Sequence, residues 1–397
     1  GIAIFIINGK WSEPSTWGQM GTPSAGADVR IPSGIEVVYD LNDTTRFDSI
    51  EVAGRLDFST ERPTSLWLSE LMVMPSGEVT IGDESAAVNQ SAEIVITDTD
   101  FKKFDPQEYG NGIIVLGSLT VRGEQKTTMA RFVDDVTAGQ QSAWLNQPVS
   151  NWVGGDRLLV PETAQTVTVW PREQIEESEV VVLDSVTNRT IEHSPFHFDH
   201  HGTAINPFGV ERFAHIGNLT RNVVIRSENP DGVRGHFMVT GTADVDIEYA
   251  ALSSLGRTSA DLPVDDTVVD DGRVLHVGTN QTGRYSAHFH HARGGIRLNH
   301  SVIEDNLRWG VVVHDSNDGV FEGNIVYDSD GAAVMVEQGN ETGNVFRDNL
   351  IVKVDGGHQA HDKRGGVTWH RDWADTRFLE TGVDGSGFWA RSSSNSF

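Results

Sequence analysis

The chain contains no cysteine, which removes disulfides, thiolate metal sites and cysteine nucleophiles together and leaves the redox compartment open. Lysine is scarce, six among 30 basic residues, a surface bias that suits a salty medium. No hydrophobic run reaches the ~18 residues that span a bilayer, and helical 3.6-residue periodicity is hard to find anywhere. The opening Gly1-Ile2-Ala3-Ile4-Phe5-Ile6-Ile7 is too short for a span and lacks a basic flank, so it reads as a strand behind a secretion signal already removed. Positive charge is also in deficit. With 57 acidic against 30 basic side chains the formal net charge is -27, and the average surface repels phosphate backbones and anionic lipid. Nucleic acid and membrane surfaces are therefore poor partners.

Glycine is present in quantity, 41 of 397 residues, together with short Val/Ile/Leu runs closed by Gly, Asn or Asp from end to end. Three similar units, Gly54-Arg55-Leu56-Asp57-Phe58, Gly77-Glu78-Val79-Thr80-Ile81 and Gly117-Ser118-Leu119-Thr120-Val121, open on glycine. A clearer series follows, in which Gly295-Ile296, Gly319-Val320 and Asn344-Val345 each lead to Ser301-Val302-Ile303, Ile325-Val326-Tyr327 and Leu350-Ile351-Val352. A strand-turn-strand grammar at this length, without helices between, predicts an all-β parallel solenoid whose turns bond to their neighbours. The boundary is expected between residues 1–125, a glycine-rich β domain, and 126–397, a parallel β-helix that is truncated or capped by another element at its C-terminus. Between the two series the expectation is a loop at Thr137–Gln141, a strand at Asp156–Pro161 and a short helix at Glu173–Glu179. Residues 257–273, with Asp261, Asp265, Asp266, Asp270 and Asp271, read as a long exposed loop. Gly387–Arg391 reads as a strand entering a turn.

All 15 histidines lie between 193 and 370. In a strand successive side chains point to opposite faces, so Ala287 and Phe289 share one side and His288 and His290 the other. Carried one repeat forward, Val311 and Val313 stack on Ala287 and Phe289, and His314 stacks on His290. One coil further Glu337 falls under His314. The apolar side is the core, so the histidines face outward, and His288, His290 and His314 form a candidate metal triad that Glu337 or water would complete. Imidazole favours zinc, copper, nickel or iron over calcium. Asp315 is placed to orient a ligand ring, and His236 one coil earlier in the same column. The competing reading is a histidine ladder that merely hydrogen-bonds along the sheet. Arg284 and Trp309 border the column and would bind a substrate by guanidinium pairing and ring stacking. His358, His361, His370, Asp372, Asp375 and Arg377 crowd a later loop, and His193, His197, His200 and His201 suggest a surface loop.

Trp11-Ser12, Thr16-Trp17, the run Gly26-Ala27-Asp28-Val29-Arg30-Ile31-Pro32-Ser33-Gly34 and the glycine-led units resemble the eight-glycine domain of cell-migration-inducing hyaluronan-binding proteins, cell-surface hyaluronidases and fibrocystins. Asn218–Ile225, Leu255-Gly256-Arg257 and Gly283-Arg284-Tyr285-Ser286-Ala287-His288-Phe289-His290 resemble the β-helix of the same proteins. The resemblance implies a secreted or cell-surface right-handed parallel β-helix and, in some members, hyaluronan binding and depolymerisation. The lack of cysteine departs from the animal proteins and points to a microbial relative. The leading expectation is a secreted protein that binds and depolymerises an acidic, hyaluronan-like polysaccharide. In a lyase, the metal would neutralise a uronate carboxylate while Tyr285, His291 or Arg308 handles the proton. In a hydrolase, Glu337 and Asp315 supply the carboxylates. The alternatives are a noncatalytic adhesion, matrix or filament subunit that self-associates as a rigid rod, and a module that binds glycan without cutting it.

Overall fold

A computed structural model of the chain describes residues 7–100, 102–164, 176–202, 212–356, 385–392 and 394–397. Strands alternate side chains between two faces, and the sequence supplies one apolar and one polar set in repeat after repeat. The result is a parallel β-helix with three strands to a coil. Ala287–Ala292, Ile296–Asn299 and Val302–Asn306 make one coil, and Val311–His314, Val320–Glu322 and Ile325–Ser329 make the next. Like strands pair in parallel, Ala287 to Val311, Leu298 to Phe321 and Ile303 to Val326. Their inward residues join one core, with Phe289, Leu298, Ile303 and Val313 fully buried. Each such side chain contributes about 1.5–3 kcal/mol by leaving water.

One face is a nine-stranded sheet, and the other two are joined into a fifteen-stranded sheet because the long strands Asn42–Val52 and Thr64–Val73 turn a corner. Residues 64–68 pair with 92–96, while 70–73 pair with 112–115. The glycine-led units sit at another corner. A Cβ on Gly54 would lie 2.2 Å from the Pro32 carbonyl oxygen, and one on Gly117 2.2 Å from that of Met74. Glycine is required there because stacked backbones meet closer than any side chain allows.

The chain divides into two compact units, residues 1–124 with 221–397, and residues 125–220. This differs from the division expected between 125 and 126. Strand Ser118–Arg122 pairs on one side with Glu78–Ile81 and on the other with Asp244–Glu248, so the nine-stranded sheet passes from the glycine-rich region into the later coils without a seam. What separates is the stretch between strands Ser118–Arg122 and Val223–Ser227.

The described residues of 125–220 hold six strands in antiparallel pairing around Phe132, Leu145, Leu158, Val181, Ile191 and Ile216. The expected strand at 156–161 is Arg157–Val160. Of the expected helix at 173–179, residues 173–175 lie outside the described residues and Glu179 opens the strand Glu179–Thr187, whose valine run favours a pleated surface. His193 and His200 are buried rather than on a surface loop, while His197 and His201 are exposed.

The stretch expected as a loop at 257–273 contains a hairpin, Val268–Asp270 with Arg273–His276. Its turn is Asp271-Gly272, both at positive φ, the pair that such two-residue turns favour. Asp265 and Asp266 bond their own loop, through His276, Thr279, Gln281 and Thr282. The strand foreseen at 387–391 is Ser386–Ala390. Residues 1–6 of the foreseen opening strand, and His358, His361, His370, Asp372, Asp375 and Arg377, lie outside the described residues.

Candidate metal centre

The strand Ala287–Ala292 turns Ala287 and Phe289 into the core, both fully buried, which forces His288 and His290 to the outer face. The register with the next coil sets His288 against Val312 and His290 against His314. Val312 then pairs with Met335 and Val313 with Val336, and the Glu337 amide bonds the Val313 carbonyl, so Glu337 follows His314 in the outward column. The imidazoles meet as this stacking requires: the His290 ring lies 5.0 Å from His288 and 4.9 Å from His314, centroid to centroid. One nitrogen from each of His288, His290 and His314 falls within 4.8 Å of the other two.

Each ring is held by a different device. His288 Nδ1 donates to the Gly283 carbonyl at 2.9 Å, which leaves the lone pair on Nε2. That atom is buried without a hydrogen-bond partner, as is His290 Nδ1. His314 Nδ1 donates to Glu337 Oε2 at 2.8 Å, a carboxylate–imidazole pair of the kind that orients metal ligands and raises their basicity. Burial pushes His288 well below the ordinary imidazole range, with His290 adding to it. Burial and the neighbouring His291 and His314 push His290 down to about 4. The hydrogen bond to Glu337 moves His314 the other way, upward. Near neutrality His288 and His290 therefore carry lone pairs. Two buried, unpartnered nitrogens on clustered imidazoles fit a transition metal, because an orphaned buried polar atom is costly unless something meets it.

The remaining expected site residues divide. His291 sits at positive φ where the strand register shifts, between the rungs Thr240–His290 and Gly241–Ala292; such bulges re-aim a side chain. Its ring comes 4.3 Å from His290 and 5.1 Å from His314, and its Nδ1 donates to Asp315 Oδ2 at 2.7 Å. Asp315 thus orients His291 rather than one of the three clustered rings, and it also accepts from Arg293 and Asn340. Tyr285, Arg308, Arg284 and Trp309 are 3–5% exposed, so they lie inside the structure and not along an open rim. Arg284 bonds the carbonyls of Glu108, Gln107 and Thr282. Tyr285 packs on His288 at 5.0 Å and on Trp309 at 4.8 Å. Arg308 reaches the Ser259 carbonyl and lies over Trp309.

His236 stands one coil earlier, but Met238 and Thr240 occupy the positions that pair with His288 and His290. Its Nδ1 accepts from Arg257 at 3.1 Å, so it belongs to the neighbouring buried network. Three contributors went unforeseen. The Gly283 carbonyl orients His288. Arg257, through Glu108, Gly110 and Asn111, fastens the loop behind it. Glu341, fully buried, accepts from the amides of Asp315, Gln338 and Gly339. Arg257 and Gly283 stand in the motifs that carry the family resemblance, whereas Glu341, 26 residues after Asp315, left no periodic signal.

Residues 16–132 match the family described as the G8 domain, and residues 256–397 match the one described as the CEMIP beta-helix. Fibrocystin-L from Homo sapiens is 26% identical over 386 residues, an alignment covering 89% of this chain and 9% of that protein. Cell surface hyaluronidase CEMIP2 from Homo sapiens is 26% identical over 234 residues, covering 51% of this chain and 14% of that one. The chain therefore spans about a tenth of fibrocystin-L. Among solved structures, the tailspike protein gp49 from Pseudomonas phage LKA1 aligns at a TM-score of 0.22 and 12% identity, over 81% of this chain and 42% of that one, too distant to bear on function. The histidine cluster falls inside the second matched segment, and the chain carries a segment matching the G8 domain followed by one matching the CEMIP beta-helix.

Proposed function

We propose that this is a secreted or cell-surface protein that binds an acidic polysaccharide at a transition-metal centre held by His288, His290 and His314, and that it cleaves the chain there. The observation that carries this reading is the convergence of His288, His290 and His314, one nitrogen of each within 4.8 Å of the others, in a cluster where His288 Nε2 and His290 Nδ1 are buried and unpartnered. The similarity to a cell surface hyaluronidase supports the choice of an acidic polysaccharide. A bound zinc-like ion would supply Lewis acidity toward a uronate carboxylate. The protein's own part is proton handling. His291, half exposed and held through Nδ1 by Asp315, offers Nε2 as the base. Removal of the proton beside the carboxylate, with its electron pair forming the ring double bond as the glycosidic oxygen leaves and takes a proton from solvent, gives an unsaturated uronate end and a free hydroxyl on the departing fragment. Elimination suits the site better than hydrolysis by a carboxylate pair, because Glu337 and Asp315 are already bonded to His314 and His291.

The test is elemental analysis of the purified chain, with viscosity loss and ultraviolet absorbance of hyaluronan and alginate solutions. Wild type should hold a stoichiometric transition metal and generate absorbing ends, and H290A/H314A should lose both. Metal content and cleavage unchanged in the double variant would end the proposal. Saturable polysaccharide binding without chain shortening would leave a binding module in its place.

A further inference from the structure

In the unit formed by residues 125–220, strand Ser142–Trp144 pairs antiparallel with Thr190–His193, and Ala143 and Ile191 turn into its core. Ser142, Trp144, Thr190 and Glu192 consequently share the outer face. Trp144 is 59% exposed, whereas Trp11, Trp17, Trp152 and Trp309 are at most 4% exposed. Among the described residues its ring packs on no other ring or cation. An indole left in water forgoes the burial that makes tryptophan valuable in a core, and on a strand it offers a flat apolar face to a ligand.

The setting is built. Trp144 borders an open cleft of about 380 Å³ with Asp134, Asp135, Gln140 and Ser142. The Trp144 carbonyl accepts from the Val133 amide at 2.9 Å, and Val136 and His200 exchange two backbone bonds behind the cleft. Asp135 is held by the Gly202 amide at 2.8 Å and by His201 at 3.2 Å. Gln140 accepts from the Thr137 amide at 3.2 Å and donates to the Ser142 carbonyl, which fixes the loop at the rim. Glu192, bonded to Ser142 at 2.8 Å, adds a third carboxylate to the same face.

We infer that this cleft is a second saccharide-binding site, separate in residues and in chemistry from the histidine cluster, and that it takes uncharged sugar. A pyranose presents an apolar C–H face that an indole covers and a rim of hydroxyls that carboxylates accept from. The two aspartates that line the cleft, with Glu192 on the same face, repel a uronate or a sulfated sugar. The unit thereby acts as a recognition module for neutral glycan, independent of any cleavage on the β-helix.

The test uses the full chain, titrated with cellohexaose, chitohexaose and mannohexaose, with hyaluronan hexasaccharide as the anionic comparison, by calorimetry and tryptophan fluorescence. At least one neutral probe should bind saturably, W144A should weaken it by about tenfold or more, in line with the loss of one stacked ring, and D134N should weaken it severalfold. W144F, which keeps an aromatic face, should retain part of the binding and shows that the sheet still folds. Metal content should be the same in all these variants. Neutral binding that survives W144A, no binding to any neutral probe, or Trp144-dependent binding of the hyaluronan probe alone would each overturn the assignment.

Discussion

At the scale of single residues, the histidine cluster depends on partners that fix ring orientation. Glu337 carries this role for His314, and removing such an outer partner typically lowers metal affinity by about 10- to 100-fold. Glu337→Ala should therefore weaken zinc binding within that range while the far-ultraviolet circular dichroism stays unchanged. Equal zinc affinity in the variant would show that the carboxylate only decorates the column. The stacking of His288, His290 and His314 is legible in the amino-acid order alone, because a repeat of constant length converts sequence distance into position along the column. Their supports are not. Gly283, Arg257 and the burial of Tyr285, Arg284 and Trp309 arise from loops that fold back over the outer face, and a loop leaves no period to count. The same loss of register displaces His236 from the expected column.

Elements obey two different logics in this chain. In the β-helix, corners are limited by backbone approach. Gly117→Ala would place a methyl 2.2 Å from one carbonyl oxygen and 2.3 Å from another, and overpacking of this sort costs about 1–3 kcal/mol. A lower denaturant midpoint with an unchanged slope is the expected result, and an unchanged midpoint would mean that the corner relaxes freely.

In the antiparallel unit, stability follows pH. Burial raises the Glu179 carboxyl, but amide hydrogen bonds from His197 and Phe198 and ring bonds from His200 and His197 outweigh it, so the group ends below the usual 4.5. A folded value below the unfolded one stabilises above the unfolded value and is lost as pH falls through the folded one. His193, lowered from 6.5 by burial, acts in the same direction beginning at higher pH, because the unfolded chain takes up the proton first. Hydrogen exchange of residues 179–200, corrected for intrinsic rates, should quicken below about pH 6.5 and again below about 4.5. Glu179→Gln should abolish the second step and leave the first. A single step common to both proteins would contradict this assignment. The strand at 157–160 could be read from its apolar run, but the antiparallel partners are distant in sequence, and no repeat announces them.

For the whole molecule the charge of -27 sets the terms on which an anionic chain approaches. Long-range repulsion is screened within ~10 Å at 0.1 M salt, so hyaluronan should bind faster and more tightly as sodium chloride rises from ~10 mM to ~100 mM, the reverse of a basic polyanion receptor. Surface plasmon resonance across that range checks the sign, and a steady fall in affinity would show that a local cationic surface governs the encounter.

The unbroken nine-stranded sheet has one more consequence. Each strand in it is hydrogen-bonded to its neighbours, so the coils of the G8-matching segment and the later coils share one continuous register. A slip of one rung at an upstream glycine corner would shift the later coils together and leave His290 facing His314, so only a slip between their own two strands could part the imidazoles.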